Sequence, residues 1–154
     1  MDDLQFMGRA LALAREAECN GEVPVGAVVV LGGTVIGEGF NSSISANDPT
    51  AHAECVAIRN ACKKVGNYRI VEATLYATLE PCLMCVGALV HARVMRLVFG
   101  AKEPKSGAIT SNLNALELPH LNHRVKVTGG VLELECREVL QTFFENRRKV
   151  AEPA

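Results

Sequence analysis

Thr50-Ala51-His52-Ala53-Glu54 and Glu80-Pro81-Cys82-Leu83-Met84-Cys85 have to be read together. Between them they hold one imidazole, two thiols and, at Glu54, a carboxylate. His52, Cys82 and Cys85 are of the types that bind zinc. A catalytic zinc takes three protein ligands and keeps a fourth position for water. Cys82 and Cys85 stand at i and i+3, which puts both sulfurs on one face of a helix. Pro81 suits a helix start, because its missing N–H would have had no partner there. Cys82 then lies near the positive end of that helix, which favours its thiolate. Zinc brings the pKa of water from about 15.7 down to roughly 7–9. Glu54 is the candidate to hold and move the proton released.

These residues have blander readings too. C-x-x-C alone serves as a redox pair or as half of a structural zinc knuckle. A structural site wants four ligands, and Cys55 is the residue that could close one beside His52, Cys82 and Cys85. Glu54 could be a solvated helix residue. His52 and Glu54 are also two apart, about 200° around an ideal helix. They can share a site only if the helix end points at the metal.

Working outward, the elements place both stretches at helix openings. Asp2 or Asp3 can cap a first helix on which Phe6, Ala10, Leu13 and Ala17 recur at helical spacing, and Asn20-Gly21 stops it. Val25 to Leu31 is a continuous apolar run of strand length. Gly32-Gly33 fits a two-residue turn, and Thr34 to Phe40 returns as the second strand. Asp48-Pro49 reads as the start of a second helix that carries His52 and Glu54 in its opening turns and ends at Gly66-Asn67. Ala73 to Leu79 is a third strand, Pro81-Cys82 opens a third helix, and Met95 to Gly100 is a fourth strand. The order hairpin–helix–strand–helix–strand makes the third and fourth strands parallel, joined by a crossover helix. Two helix N-termini then converge beyond the strand ends, where open α/β sheets place ligands. Beyond them, Ala101 to Asn122 is a long connection with room for one short helix between Ala108 and Leu118. Arg124 to Thr128 is a brief fifth strand, and a last amphipathic helix runs from Val131 past Phe143, Phe144, Arg147 and Arg148.

The chain has 154 residues, which points to a single domain over 1–154. Its 49% hydrophobic and 21% charged residues let such a domain bury a core without disulfide staples. Six scattered cysteines, no signal-peptide pattern and no membrane-length apolar run predict a cytoplasmic protein with no membrane partner. Cys19, Cys62 and Cys136 fall in helical patterns and read as small buried hydrophobes. A formal net charge of −1 argues against non-specific, charge-driven nucleic-acid binding over the whole surface. Local clusters remain at Arg147-Arg148-Lys149 and at Lys102 and Lys105. His91, in the third helix, reads as structural, and His120 as a loop residue.

H-x-E followed by P-C-x-x-C is the signature of the zinc-dependent nucleobase and nucleoside deaminases. Glu22-Val23-Pro24-Val25-Gly26-Ala27, Gly37 to Asn41, Asp48 to Glu54 and Thr78 to Ala88 are similar to the bacterial tRNA-specific adenosine deaminases of the cytidine deaminase-like superfamily. So are Val98 to Ala101, Asn122-His123-Arg124 and Phe143-Phe144 with Arg147-Arg148. The resemblance implies a three-layer α/β/α fold with a mixed five-stranded sheet, an N-terminal antiparallel hairpin and helices on both faces. It implies a zinc-dependent homodimeric hydrolase that converts adenosine to inosine at the wobble position (34) of the anticodon, in tRNA for arginine. His52, Cys82 and Cys85 would hold zinc. Glu54 would take a proton from water, deliver it to N1 of adenine and protonate the leaving ammonia. Asn41 and the backbone at Ala53 would hydrogen-bond the flipped base, and Val23 would pack on it. Glu103 stands where many members carry aspartate and would bear on the nucleotide just before the target. Ser42-Ser43 follow the pocket asparagine in place of bulkier or more rigid residues. Asn122, His123, Phe143 and Arg147 would face the anticodon stem-loop.

A free-base or nucleoside deaminase, acting on guanine or cytidine, is the alternative. Asp48 to Glu54 and Ala57-Ile58-Arg59 suit a guanine deaminase nearly as well, and the basic Phe-Phe-x-x-Arg-Arg end argues against it. A zinc domain without catalysis is the other alternative, and an intact Glu54 argues against that.

Overall fold

The structure is a computed structural model that describes residues 2–151. Met1 and residues 152–154, which the expected domain of 1–154 includes, lie outside the described residues. Five strands form one mixed sheet in the order β2-β1-β3-β4-β5. They are β1 (Gly26–Leu31), β2 (Thr34–Phe40), β3 (Thr74–Leu79), β4 (Arg96–Ala101) and β5 (Lys126–Thr128). β1 pairs antiparallel with β2 and β3, whereas β3–β4 and β4–β5 are parallel. The helices are α1 (Asp3–Cys19), α2 (Ala53–Val65), α3 (Leu83–His91) and α4 (Glu133–Ala151).

Alternation along the strands assigns the layers. Val28, Val30, Tyr76 and Val98 turn to one face and pack with Phe6, Met7 and Ala10 of α1 and Cys136 of α4. Ala27, Val29, Leu75, Ala77, Leu97 and Phe99 turn to the other and pack with Ala57 and Ile58 of α2 and Val86 and Leu89 of α3. Both sheet faces are covered, so β1 reads as an unbroken apolar run rather than an alternating one. Thus the α/β fold with helices on both faces is borne out.

Several boundaries move for local reasons. Asp2 caps α1, accepting the Gln5 N–H at 3.0 Å while Gln5 Oε1 accepts the Asp2 N–H at 2.9 Å, a reciprocal cap worth about 1 kcal/mol. The expected helix start at Asp48-Pro49 is corrected. Asp48 Oδ1 accepts the Thr50 N–H at 2.8 Å and the Thr50 hydroxyl at 2.7 Å, a side-chain turn that competes with helix. α2 begins only at Ala53, with His52 as its extended N-cap at φ −73°, ψ 151°. α3 likewise begins after its expected start at Pro81-Cys82, with Cys82 as the extended N-cap. Leu132 at φ 52° delays α4 past Val131. The long connection holds one short 3-10 turn, Ala115–Glu117.

Glycine brings α2 against the sheet. A Cβ on Gly37 would stand 2.4 Å from Ala57 O, and one on Gly39 would stand 2.5 Å from Ala53 O. Only hydrogen fits there, and the approach draws the first turn of α2 down beside Asn41. Ile36 is left unpaired between Val29↔Gly37 and Val30↔Val35, a bulge that lets Ile36 share the α2 face with Gly37 while Val35 turns to the other. At the far side of the sheet Arg96 pairs with both Asp3 oxygens at 2.9 and 2.7 Å, and the Tyr76 hydroxyl donates to Asp3 at 2.7 Å. These bonds hold the Asp3 carboxyl below the usual aspartate range, with the Arg96 hydrogen bond as the largest cause.

Gly39→Ala should lower stability by about 1–3 kcal/mol, because helix backbone must move, and denaturant titration reads this directly. Asp3→Asn should cost about 0.5–1 kcal/mol at pH 7, discounted for solvent screening. A carboxyl with a lowered folded pKa stabilises above its unfolded value of about 3.9 and loses that contribution as pH falls through the folded value. The gap between Asp3→Asn and the parent protein should therefore close in titrations run from pH 5 down to pH 2.

Candidate metal and proton-transfer site

The late starts of α2 and α3 build this site. His52 and Cys82 are the two N-caps, held in extended backbone just outside their helices, and neither caps its helix with its own side chain. The imidazole and the thiol are thereby free to turn toward each other. His52 Nδ1 lies 3.5 Å from Cys82 Sγ and 3.6 Å from Cys85 Sγ. Tetrahedral zinc, with bonds of about 2.3 Å to sulfur and about 2.05 Å to nitrogen, separates N and S by about 3.6 Å. These three donor atoms all lie within 4.8 Å of one another, so the cluster is compatible with a bound metal ion.

The donor chemistry also calls for a cation. Hydrogen bonds from Cys85 and then His52 hold the Cys82 thiol down to about 4. Cys85, completely buried, is pushed far up by the sulfurs of Cys55 and Cys82 and by burial. Two thiols this close do not both ionise without a positive charge between them. His52 is raised, chiefly by its hydrogen bond with Cys82. Cys55 Sγ sits 3.7 Å from Cys85 Sγ, yet it does not join the group of mutually close donors. The arrangement is a three-donor set with Cys55 beyond one of its members.

Glu54 is 4% exposed. Burial pushes its carboxyl up, and His52, Cys82 and Cys85 all act on it. The 200° separation expected on a regular helix does not arise, because His52 precedes α2 and Glu54 is its second residue. The N-terminus of the helix points at the cluster.

Asn41, at the end of β2, accepts the Ala53 N–H on Oδ1 at 2.8 Å. That bond satisfies a first-turn donor of α2 and consumes the Ala53 N–H. Val23 is half-buried against the core that holds α2 and α3. Glu103 is half-buried, and its Oε1 accepts the Lys105 N–H at 2.9 Å. Asn122 is exposed, whereas His123 turns its Nε2 to Val94 O at 2.5 Å. Phe143 is buried with Arg147 stacked 4.9 Å over its ring. Both line an open cleft of about 750 Å³ with Glu18, Phe144 and Arg148, and this cleft includes none of the metal-type donors.

Two buried carboxylates escaped the sequence reading as functional residues. Glu22, 2% exposed, accepts the Ile44 and Ser45 N–H groups at 3.2 and 2.7 Å. Burial raises its carboxyl, but these bonds and the charge of Arg147 outweigh burial and hold it low. It shapes the segment after Asn41. Glu80, also 2% exposed, gathers five donors from residues 103–111. Burial raises it too, and the Ser111 and backbone hydrogen bonds bring it down to about 2. A carboxylate next to an apolar stretch with no cation nearby in sequence was the available signal for each.

The chain matches the MafB19-like deaminase family over residues 1–148. It is 52% identical over 148 residues to a tRNA-specific adenosine deaminase of Haemophilus influenzae, covering 96% of this chain and 86% of that protein. A solved structure from biochemical and structural studies of A-to-I editing by tRNA:A34 deaminases at the wobble position of transfer RNA superposes with a TM-score of 0.86 at 46% identity. The match covers 88% of this chain and 99% of that one. A guanine deaminase of Bacillus subtilis superposes less closely, with a TM-score of 0.65 at 33% identity over 100% of this chain and 99% of that one.

Removing the imidazole should remove the metal. Purified protein should carry about one zinc per chain, the number one three-donor cluster holds. His52→Ala should lose most of it by elemental analysis, and full retention would show that the donors are misassigned.

Proposed function

We propose that this chain, which belongs to the tRNA-specific adenosine deaminases, hydrolyses the 6-amino group of adenosine to inosine at the wobble position of a tRNA anticodon, tRNA for arginine included. The observation that carries this reading is the meeting of three tetrahedrally spaced donors with one buried carboxyl. The identities to tRNA deaminases at 52% and 46%, against 33% for the guanine enzyme, support RNA as substrate over a free base.

His52 Nδ1 and the sulfurs of Cys82 and Cys85 would hold zinc, which when bound supplies water activated for attack at neutral pH. Glu54 moves the protons. It accepts one as water adds to C6 and delivers it to N1 of adenine, then takes the second from the new C6 hydroxyl and passes it to the amino group, which leaves as ammonia as the C6 carbonyl forms. Burial raises the Glu54 carboxyl, which favours its taking up the proton that water gives. Asn41 gives its carbonyl oxygen to the Ala53 N–H, which leaves its amide N–H groups for the base. The Ala53 backbone then acts by orienting Asn41. Val23 offers an apolar surface on which the base rests.

Reaching the base means unstacking it, which a loop permits at a cost of at most a few kcal/mol. Glu103, Asn122, His123, Phe143 and Arg147 are the residues proposed to meet the anticodon loop, with Arg147 set by its stacking on Phe143. The charge of Arg147 reaches Glu22, whose partners Ile44 and Ser45 follow Asn41 closely. This relates the end of α4 to the base-binding side.

Leu83 and Met84 open α3 with 58% and 37% of their surface exposed, which supports the association of two copies across that helix. Among the described residues no helix is long and apolar enough to cross a membrane. All six cysteines are free, in keeping with a reducing cytoplasm.

Purified protein should form inosine in an anticodon stem-loop and release little ammonia from guanine, adenosine or cytidine. Strong turnover of guanine with none on the stem-loop would replace this reading with the free-base one. Glu54→Ala should keep its zinc and lose at least about 100-fold in rate, the usual scale of acid–base catalysis. Activity surviving that change would mean that another group carries the proton.

A further inference from the structure

Glu80 takes no part in the chemistry above, yet it is more heavily hydrogen-bonded than any residue that does. Its Oε2 accepts the backbone N–H groups of Ile109, Thr110 and Ser111 at 3.0, 2.8 and 3.0 Å. Its Oε1 accepts the Glu103 N–H at 3.1 Å and the Ser111 hydroxyl. All five donors lie on the segment that follows β4. Two backbone bonds tie the same region to the start of α3: Glu80 N–H donates to Ala101 O at 2.8 Å, and Ala108 N–H donates to Pro81 O at 2.9 Å. Gly107 makes room for the carboxylate, since a Cβ there would stand 2.5 Å from Glu80 Cδ.

Every partner of this buried charge is a neutral donor. A carboxylate buried without a cation demands that each lone pair be met, so the segment has one shape that satisfies it. Apolar contacts would have held the segment in place without fixing its backbone so tightly. In that shape the segment buries Ala108 and Ile109 in the core beside α3. It turns Lys102 and Lys105 outward and leaves Glu103 half-exposed. Glu80 stands two residues before Cys82, so this shape is referenced to the same chain turn that aims the Cys82 sulfur.

We propose that Glu80 is a positioning residue that moulds residues 102–111 into the wall against which the nucleotide preceding the target adenosine rests. Glu80 touches no substrate itself. It acts through Glu103 and its neighbours, whose backbone it holds. This inference rests on the tRNA reading given above, and it adds a determinant of substrate fit distinct from metal binding and proton transfer.

Glu80→Gln tests it, because the amide keeps the size but turns a donor toward N–H groups that need an acceptor. Zinc content should stay at the parent value. Hydrogen exchange at the amides of 103 and 109–111 should quicken, and trypsin should cut faster after Lys102 and Lys105. KM for the anticodon stem-loop should rise by about tenfold while kcat changes less than about threefold, the signature of lost binding that ground and transition states share. A stem-loop lacking the base before the target should already bind the parent protein weakly, and Glu80→Gln should weaken it little further, since both changes remove the same contact. Loss of zinc from Glu80→Gln would overturn the proposal by assigning Glu80 to the metal frame. Faster exchange with an unchanged KM would overturn it by showing that the segment bears no substrate. If Glu80→Gln fails to fold, Ser111→Ala, which removes one donor, must raise KM by about two- to threefold, and an unchanged KM there refutes the idea equally. Failure of the unaltered protein to act on the stem-loop would sink the tRNA reading itself, and that result appears before any variant is made.

Discussion

Three donor atoms from stretches thirty residues apart must arrive within tetrahedral reach of one point, and the rest of the architecture serves that meeting. Side chains deep inside two helices spread around their axes and do not converge this way; of the three donors only Cys85 is helical, and it lies in the first turn of α3. Residues placed just before a helix can, because extended backbone turns them toward the axis. His52 and Cys82 are both such residues. Bringing the two helix starts together then requires that α2 and α3 lie on one face of the sheet, as the packing of Ala57, Ile58, Val86 and Leu89 requires. It also requires α2 to approach β2 more closely than side chains allow, which Gly37 and Gly39 permit.

Around that centre the chain spends buried carboxylates on geometry. Glu22 and Glu80 each sit in the interior as hydrogen-bond acceptors for loop backbone, while Glu54 is buried against the thiols. The environments push their pKa values apart: loop N–H groups hold Glu22 and Glu80 low, and burial raises Glu54. Two carboxylates are kept as fixed anions that shape the walls, and one is left able to exchange a proton. The division follows from donors and depth together: Glu22 and Glu80 are met by several loop donors close below the surface, and Glu54 lies deepest, where burial dominates.

Much of this was legible in the sequence. The hairpin at Gly32-Gly33 and the parallel pair of β3 and β4 follow from strand-length apolar runs alternating with helical spacing, and the helical cover on both faces came with the family resemblance. The donor cluster was legible because its residue types are rare and their spacing is tight. The helix starts were not, because Asp48-Pro49 and Pro81-Cys82 carry good starting residues. The competing Asp48–Thr50 turn is decided by local hydrogen bonds that composition does not weigh. Nor were the roles of Glu22 and Glu80 visible. A carboxylate beside an apolar stretch was the one hint, and it names no partner, because the partners are backbone N–H groups, which every residue has, and the Ser111 hydroxyl.

The bulge at Ile36 and the brevity of β5 have a further consequence for how this molecule meets others. The sheet has two outer strands, and a long flat outer strand invites a neighbouring chain to add itself by backbone pairing. β2 is bent by its unpaired residue and carries Glu38 on the stretch beyond it, and β5 offers only three residues, the first a lysine. Neither margin is a template for strand addition. Contact with other macromolecules is thereby steered away from sheet extension and toward the helical faces and the loops beyond the strand ends.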